Sequence, residues 1–144
     1  LYAGFHPYLL TPPHGQGKES VMLSCEPLRA FEYNARLTDI AGVKPTPAMP
    51  VPITAAEINE LLIEVREGSA AALLFPDKHR LLISAGGVDM ARLFPYLQFY
   101  TMADQPFFCV EPWMGHPNAL NTVTGAQWLA PGAHMRGIFR CRIG

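Results

Sequence analysis

Apolar residues in this chain come in short runs bounded by proline, glycine or charge. Residues 21–25, 70–75 and 79–85 are such runs, and each predicts a short strand. Over residues 94–101 the pattern alternates: Tyr96, Gln98 and Tyr100 fall on one face, Leu97 and Phe99 on the other. Over residues 107–113, Cys109, Glu111 and Trp113 share a face opposite Phe108 and Val110. Over residues 138–143, Phe139, Cys141 and Ile143 alternate with Arg140 and Arg142. One segment has a helical period instead. Thr54 can cap it, Glu57 sits three residues on, Ile58, Leu61, Leu62 and Val65 follow at helical spacing, and Gly68 supplies a stop. Between residues 34 and 52, Pro45, Pro47, Pro50 and Pro52 deny hydrogen bonds to helix and ladder alike, which predicts a wrapped surface loop. Many short strands with one short helix predict a mainly β fold, a sandwich rather than α/β layers.

Composition narrows the function classes. The 144 residues are 49% hydrophobic and 16% charged, ample for a packed core. Fourteen prolines and twelve glycines favour many short elements over long helices. A formal net charge of −1 argues against a nucleic-acid partner. No apolar run approaches the roughly 18–20 residues that span a bilayer, so no membrane partner is expected. Three cysteines without paired spacing argue against a disulfide scaffold and against zinc; neither metal nor cofactor is expected. A reducing, cytoplasmic setting is the default expectation. Gly86-Gly87 lacks the Lys and Ser/Thr of a phosphate loop, and there is no Gly-x-Ser-x-Gly elbow.

Three stretches can carry chemistry. In Gly4-Phe5-His6-Pro7-Tyr8 a histidine stands between aromatics beside a proline that fixes the backbone. Its ordinary pKa near neutrality suits proton transfer, although a structural histidine bonded to a carbonyl has the same pattern. In Phe107-Phe108-Cys109-Val110-Glu111-Pro112-Trp113 a carboxylate ends an apolar strand. Such a group either pairs with a cation or sits at a pocket with a raised pKa, and both suit a general base. Trp113, on the same face, offers a platform for the C–H face of a sugar. The plainer alternative is a solvated Glu111 with Trp113 in the core. In the stretch from Phe94 to Thr101, Gln98 lies between tyrosines on a face able to hydrogen-bond hydroxyls, or simply to meet solvent. His116, five residues beyond Glu111, could rim the same site, whereas His14 and His79 read as exposed.

Taken in order, these stretches resemble the aldose 1-epimerase (galactose mutarotase-like) family. Gly4-Phe5-His6-Pro7-Tyr8 resembles its histidine motif, and Gln98-Phe99-Tyr100-Thr101 its Gln-Phe-Tyr-Thr strand. Phe108 to Trp113, followed by Pro117-Asn118-Ala119, resembles its catalytic-glutamate segment, and Leu129-Ala130-Pro131-Gly132 the turn after it. The resemblance implies a large twisted β-sandwich (a supersandwich) that interconverts the α and β anomers of a hexose without metal or cofactor. It implies His6 as general acid on the ring oxygen and Glu111 as general base on the anomeric hydroxyl. Gln98, Trp113, Tyr8 and His116 would contact the monosaccharide. The family's aspartate falls near Ile58-Asn59-Glu60-Leu61-Leu62, so Asn59 or Glu60 would take its place.

Family members carry a further half before the histidine motif, supplying an arginine and often a second histidine. The 144 residues are therefore expected to be the carboxy-terminal portion of one sandwich domain, with the missing N-terminal half as its partner. Alone, they should expose a sheet edge and a broad apolar face and self-associate. The competing expectations are a non-catalytic carbohydrate-binding or regulatory sandwich and a hexose-phosphate mutarotase.

Overall fold

The structure is a computed structural model that describes residues 1–66, 68–88 and 92–144. The alternating segments fold as strands because each has one apolar side to bury and turn residues at its ends. One sheet contains β1 (Tyr8–Leu10), β3 (Pro27–Tyr33), β4 (Ile40–Lys44), β6 (Leu61–Val65), β9 (Tyr96–Tyr100) and β10 (Phe107–Trp113). Its order is β1-β10-β9-β6-β3-β4. The second contains β2 (Met22–Ser24), β5 (Val51–Pro52), β7 (Ala71–Leu74), β8 (Arg80–Gly87) and β11 (Gly137–Ile143), in the order β11-β8-β7-β2-β5. All pairings are antiparallel. One short α-helix, α1 (Ala119–Thr122), follows β10.

The core lies between the sheets. Leu61, Ile63 and Val65 of β6, Leu97 and Phe99 of β9, and Phe108 and Val110 of β10 meet Leu23, Val51, Ala71, Leu73 and Ile83 of the other sheet. Phe99 and Phe108 stack at 6.0 Å between ring centroids. Both are fully buried, and each such side chain contributes about 2–3 kcal/mol. Alternation then sends Gln98, Cys109, Glu111 and Trp113 to the opposite face of the first sheet. That face is not open to water. Every residue of β6 is buried, including Leu62 and Glu64, which point away from the core.

Two sequence expectations are corrected, and one strand had gone unpredicted. Residues 54–65 are not a helix. Ala55, Ile58 and Leu61 N–H groups bond three residues back, to Pro52, Ala55 and Ile58, which gives successive turns. Residues 61–65 then pair with β3 and β9. Ile58 and Leu61 are buried as a helical stripe would require, but two neighbouring strands outweigh the local capping preference. The proline-rich stretch 34–52 is not all loop, since β4 and β5 lie within it. Both are edge strands, where a missing N–H is tolerated. β3 had no clear alternation to reveal it, because its register shifts twice, at residues 27–29 and at 32–33.

The sheets keep open edges. On β11, Ile143 is 82% exposed and Cys141 is exposed, although both lie on the side that carries the half-buried Phe139. No described helix is long and apolar enough to cross a membrane.

A buried cation ties the turn before β2 to the segment after β9. Lys18, fully buried, donates from Nζ to Thr101 Oγ1 (2.9 Å), Met102 O (2.7 Å) and Gln105 O (2.6 Å). All three ammonium hydrogens find acceptors, which offsets the desolvation that lowers its pKa. Replacing Lys18 by Met leaves these acceptors unpaired. Lys18→Met is expected to lose about 2–4 kcal/mol in urea unfolding; a loss below about 0.5 kcal/mol, the range of an ordinary surface substitution, would contradict this role.

Candidate active site

The site begins with a register. Tyr8 lies opposite Cys109, and Gly4 bridges Trp113. Residue numbers across this pairing sum to a constant, so His6 lies opposite Glu111. Backbone bonds from Phe5 N–H to Pro112 O (2.9 Å) and from Met114 N–H to Ala3 O (3.0 Å) continue the ladder. Gly4 is required because a Cβ there would run into the Trp113 ring. Phe5 points to the other side and packs on Phe94 and Phe139, with centroids 5.4 and 5.3 Å away. That anchor leaves His6 facing the site. Across the sheet, Glu111 pairs with Gln98 and Gln98 with Leu62, which extends one rung over four strands.

His6 Nε2 stands 3.1 Å from Glu111 Oε1; the side chains are 43% and 4% exposed. The other carboxylate oxygen, Oε2, accepts a hydrogen bond from Trp113 Nε1 at 3.2 Å. His6 stacks on Tyr8 at 5.1 Å, and Trp113 stacks on Tyr2 at 5.5 Å. Gln98 is held at both ends: its Oε1 accepts from the Tyr33 hydroxyl (2.8 Å) and its Nε2 donates to Glu60 Oε2 (3.2 Å). Glu60 reaches this position from the turn before β6, where its φ of 55° is left-handed. Glu60, Gln98, Glu111 and Trp113 line a cavity of about 220 Å³, with Tyr2, Tyr33, Leu62, Gly115 and Pro117 completing its lining. Drug-sized ligand sites run from roughly 300 to 1,000 Å³, so this one suits a molecule of monosaccharide size. A larger space of about 420 Å³ lies by the β7–β8 turn. Its walls include Phe75, Leu81 and Ile143 with the exposed Asp77–His79 pair, and it brings no buried acid and base together.

Burial pushes the Glu111 carboxyl above the ordinary glutamate range. His6 and the Trp113 bond pull it back, and the negative charge of Glu60 pushes it up again. Burial likewise raises Glu60, against the Gln98 bond and His6. Tyr33 is raised strongly, first by burial and then by Glu60.

The remaining sequence candidates are distributed unevenly. Tyr8 is exposed and touches the site only through His6. His116 does not line the cavity: its ring wedges between Phe31 and Tyr96, 4.6 Å from each, and burial lowers its pKa. Asn59 also points elsewhere, accepting the Thr101 N–H at 3.0 Å beside Lys18. Of the Asn59–Glu60 pair, it is Glu60 that lines the cavity. Tyr2 and Tyr33 carried no sequence signal, since one acts by stacking and the other ends the unread β3.

No protein-family model matches the chain, and no curated protein matches it. Two solved structures do. One is a galactose mutarotase-like protein from Clostridium acetobutylicum: TM-score 0.79, 18% identity, covering 100% of this chain and 47% of that one. The fold is galactose mutarotase-like. The other is the Slr1438 protein from Synechocystis sp. PCC 6803: TM-score 0.71, 21% identity, covering 99% of this chain and 44% of that one. The chain thus spans about half the length of the solved structures it matches. At these identities the likeness is one of fold.

The raised carboxyls give stability a direction with pH. A raised acid binds its proton more tightly when folded, so stability is full below the unfolded value and falls as pH rises through the folded one. Glu111→Gln removes the charge yet keeps an acceptor for Trp113. Its melting temperature is expected to exceed wild type at neutral pH, and the gain to vanish near about pH 3.5, where an unfolded glutamate is largely protonated. Equal melting temperatures at neutral pH would contradict the raised carboxyl.

Proposed function

We propose that this chain is the carboxy-terminal part of a single mutarotase sandwich and that it carries the acid–base pair of a hexose mutarotase. The observation that supports this most is the contact of half-exposed His6 with buried Glu111 at 3.1 Å, where Glu111 lines a cavity of about 220 Å³ and His6 stands beside it. Anomer exchange needs a proton delivered to the ring oxygen and one removed from the anomeric hydroxyl. Both oxygens are bonded to the same carbon, so the two groups that serve them must be close neighbours. His6, protonated, gives its proton to the ring oxygen. Glu111, ionised, takes the hydroxyl proton; its raised pKa brings it closer to neutrality, where a general base works best. The ring opens, the C1–C2 bond rotates, and the roles reverse on closure. Glu60 and Gln98 accept and donate hydrogen bonds to ring hydroxyls, and Trp113 packs on a C–H face.

A second reading, exchange of phosphorylated hexoses, is favoured by one observation. Arg29 and Arg92, each more than half exposed, converge on the buried Glu64 of the same sheet face. Hexose and hexose phosphate are therefore compared directly by NMR exchange. In the protein with its complete sandwich, Glu111→Gln is expected to reduce acceleration ~10²–10⁴-fold for whichever substrate is turned over. Wild-type acceleration by that variant would overturn the acid–base assignment.

A further inference from the structure

His6, Cys109 and Glu111 bring an imidazole nitrogen, a thiol sulfur and a carboxylate oxygen within 4.8 Å of one another, and among the described residues no other such group of three is found. Cys109 has no part in the proton transfers above. It follows His6 and Glu111 in space because Tyr8, on which His6 stacks, lies directly opposite it.

We propose that this triad is a binding site for a thiophilic divalent transition-metal ion of the zinc class, overlapping the acid–base pair. Nitrogen, sulfur and oxygen are the three donor types zinc takes from proteins. A tetrahedral shell with bonds of about 2.0–2.3 Å places its donors roughly 3.3–3.7 Å apart. His6 and Glu111, at 3.1 Å, are already close to that spacing, and the sulfur has at most about 1.5 Å to close. Thiolate and carboxylate together neutralise a dication. Glu111 Oε1 is buried, makes no hydrogen bond of good geometry and faces His6 Nε2 at 3.1 Å, so two of the three donor atoms already converge on one point. Oε2 is steadied by Trp113, as the outer shell steadies a metal ligand. The half-exposed His6 gives an entry path. Three protein ligands leave a coordination position for water or a sugar hydroxyl, the arrangement of an exchangeable site rather than a structural one.

Binding is independent of the proposed function; only its consequence, that zinc and anomer exchange exclude one another, rests on that reading. The test is titration of this chain with Co²⁺, read by the thiolate-to-cobalt charge-transfer absorbance and displaced by Zn²⁺. One equivalent should produce the band. It should persist in Cys141→Ser, which removes the exposed thiol, and disappear in Cys109→Ser. His6→Ala, at a half-exposed position, should weaken affinity by more than about tenfold, the lower end for even an outer-shell loss. A band that survives Cys109→Ser, one that vanishes in Cys141→Ser, or none in folded wild type would overturn the site. If the band behaves as stated and zinc leaves exchange unslowed, the site stands and the acid–base assignment fails.

Discussion

The antiparallel register between the segment from Gly4 to Leu10 and β10 holds the site together. Gly4 against Trp113 and Tyr8 against Cys109 leave His6 no place but opposite Glu111. A slip of one residue would turn every side chain to the other face and send Phe5, now half-buried against Phe94 and Phe139, onto the cavity. The same alternation that buries Phe108 and Val110 in the core puts Cys109, Glu111 and Trp113 on the site. Packing on one side of the sheet and chemistry on the other are therefore one constraint.

That constraint has an energetic cost. Two carboxyls, Glu60 and Glu111, share a small cavity, and burial raises both. A sequence selected for stability alone would not place them there, and the conflict marks this as the candidate functional site. Two other buried charges are, by contrast, well matched. Lys18 has three acceptors, and Glu64 has two arginines.

The strands with clean alternation, β9 and β10, were legible in the sequence because one face of each is core. β6 was not: Leu61, Leu62 and Val65 fit a helical stripe as well as a strand buried on both faces, and only pairing with β3 and β9 separates the two. β3 was hidden by its bulges. Within the site, His6, Gln98 and Glu111 stood out as polar groups among aromatics. Glu60 was one of two adjacent choices, and the left-handed turn that separates it from Asn59 has no sequence signature. Cys109 carried no metal-ligand spacing, because its neighbours are brought to it across strands rather than along one.

The account turns on Glu111 being a buried carboxyl beside His6 whose proton is held more tightly than in water. The side-chain carboxyl ¹³C shift of Glu111, assigned with Glu111→Gln and followed against pH, reads this directly. The account predicts a midpoint above the ordinary glutamate value of about 4.3. A midpoint at or below that value would contradict it.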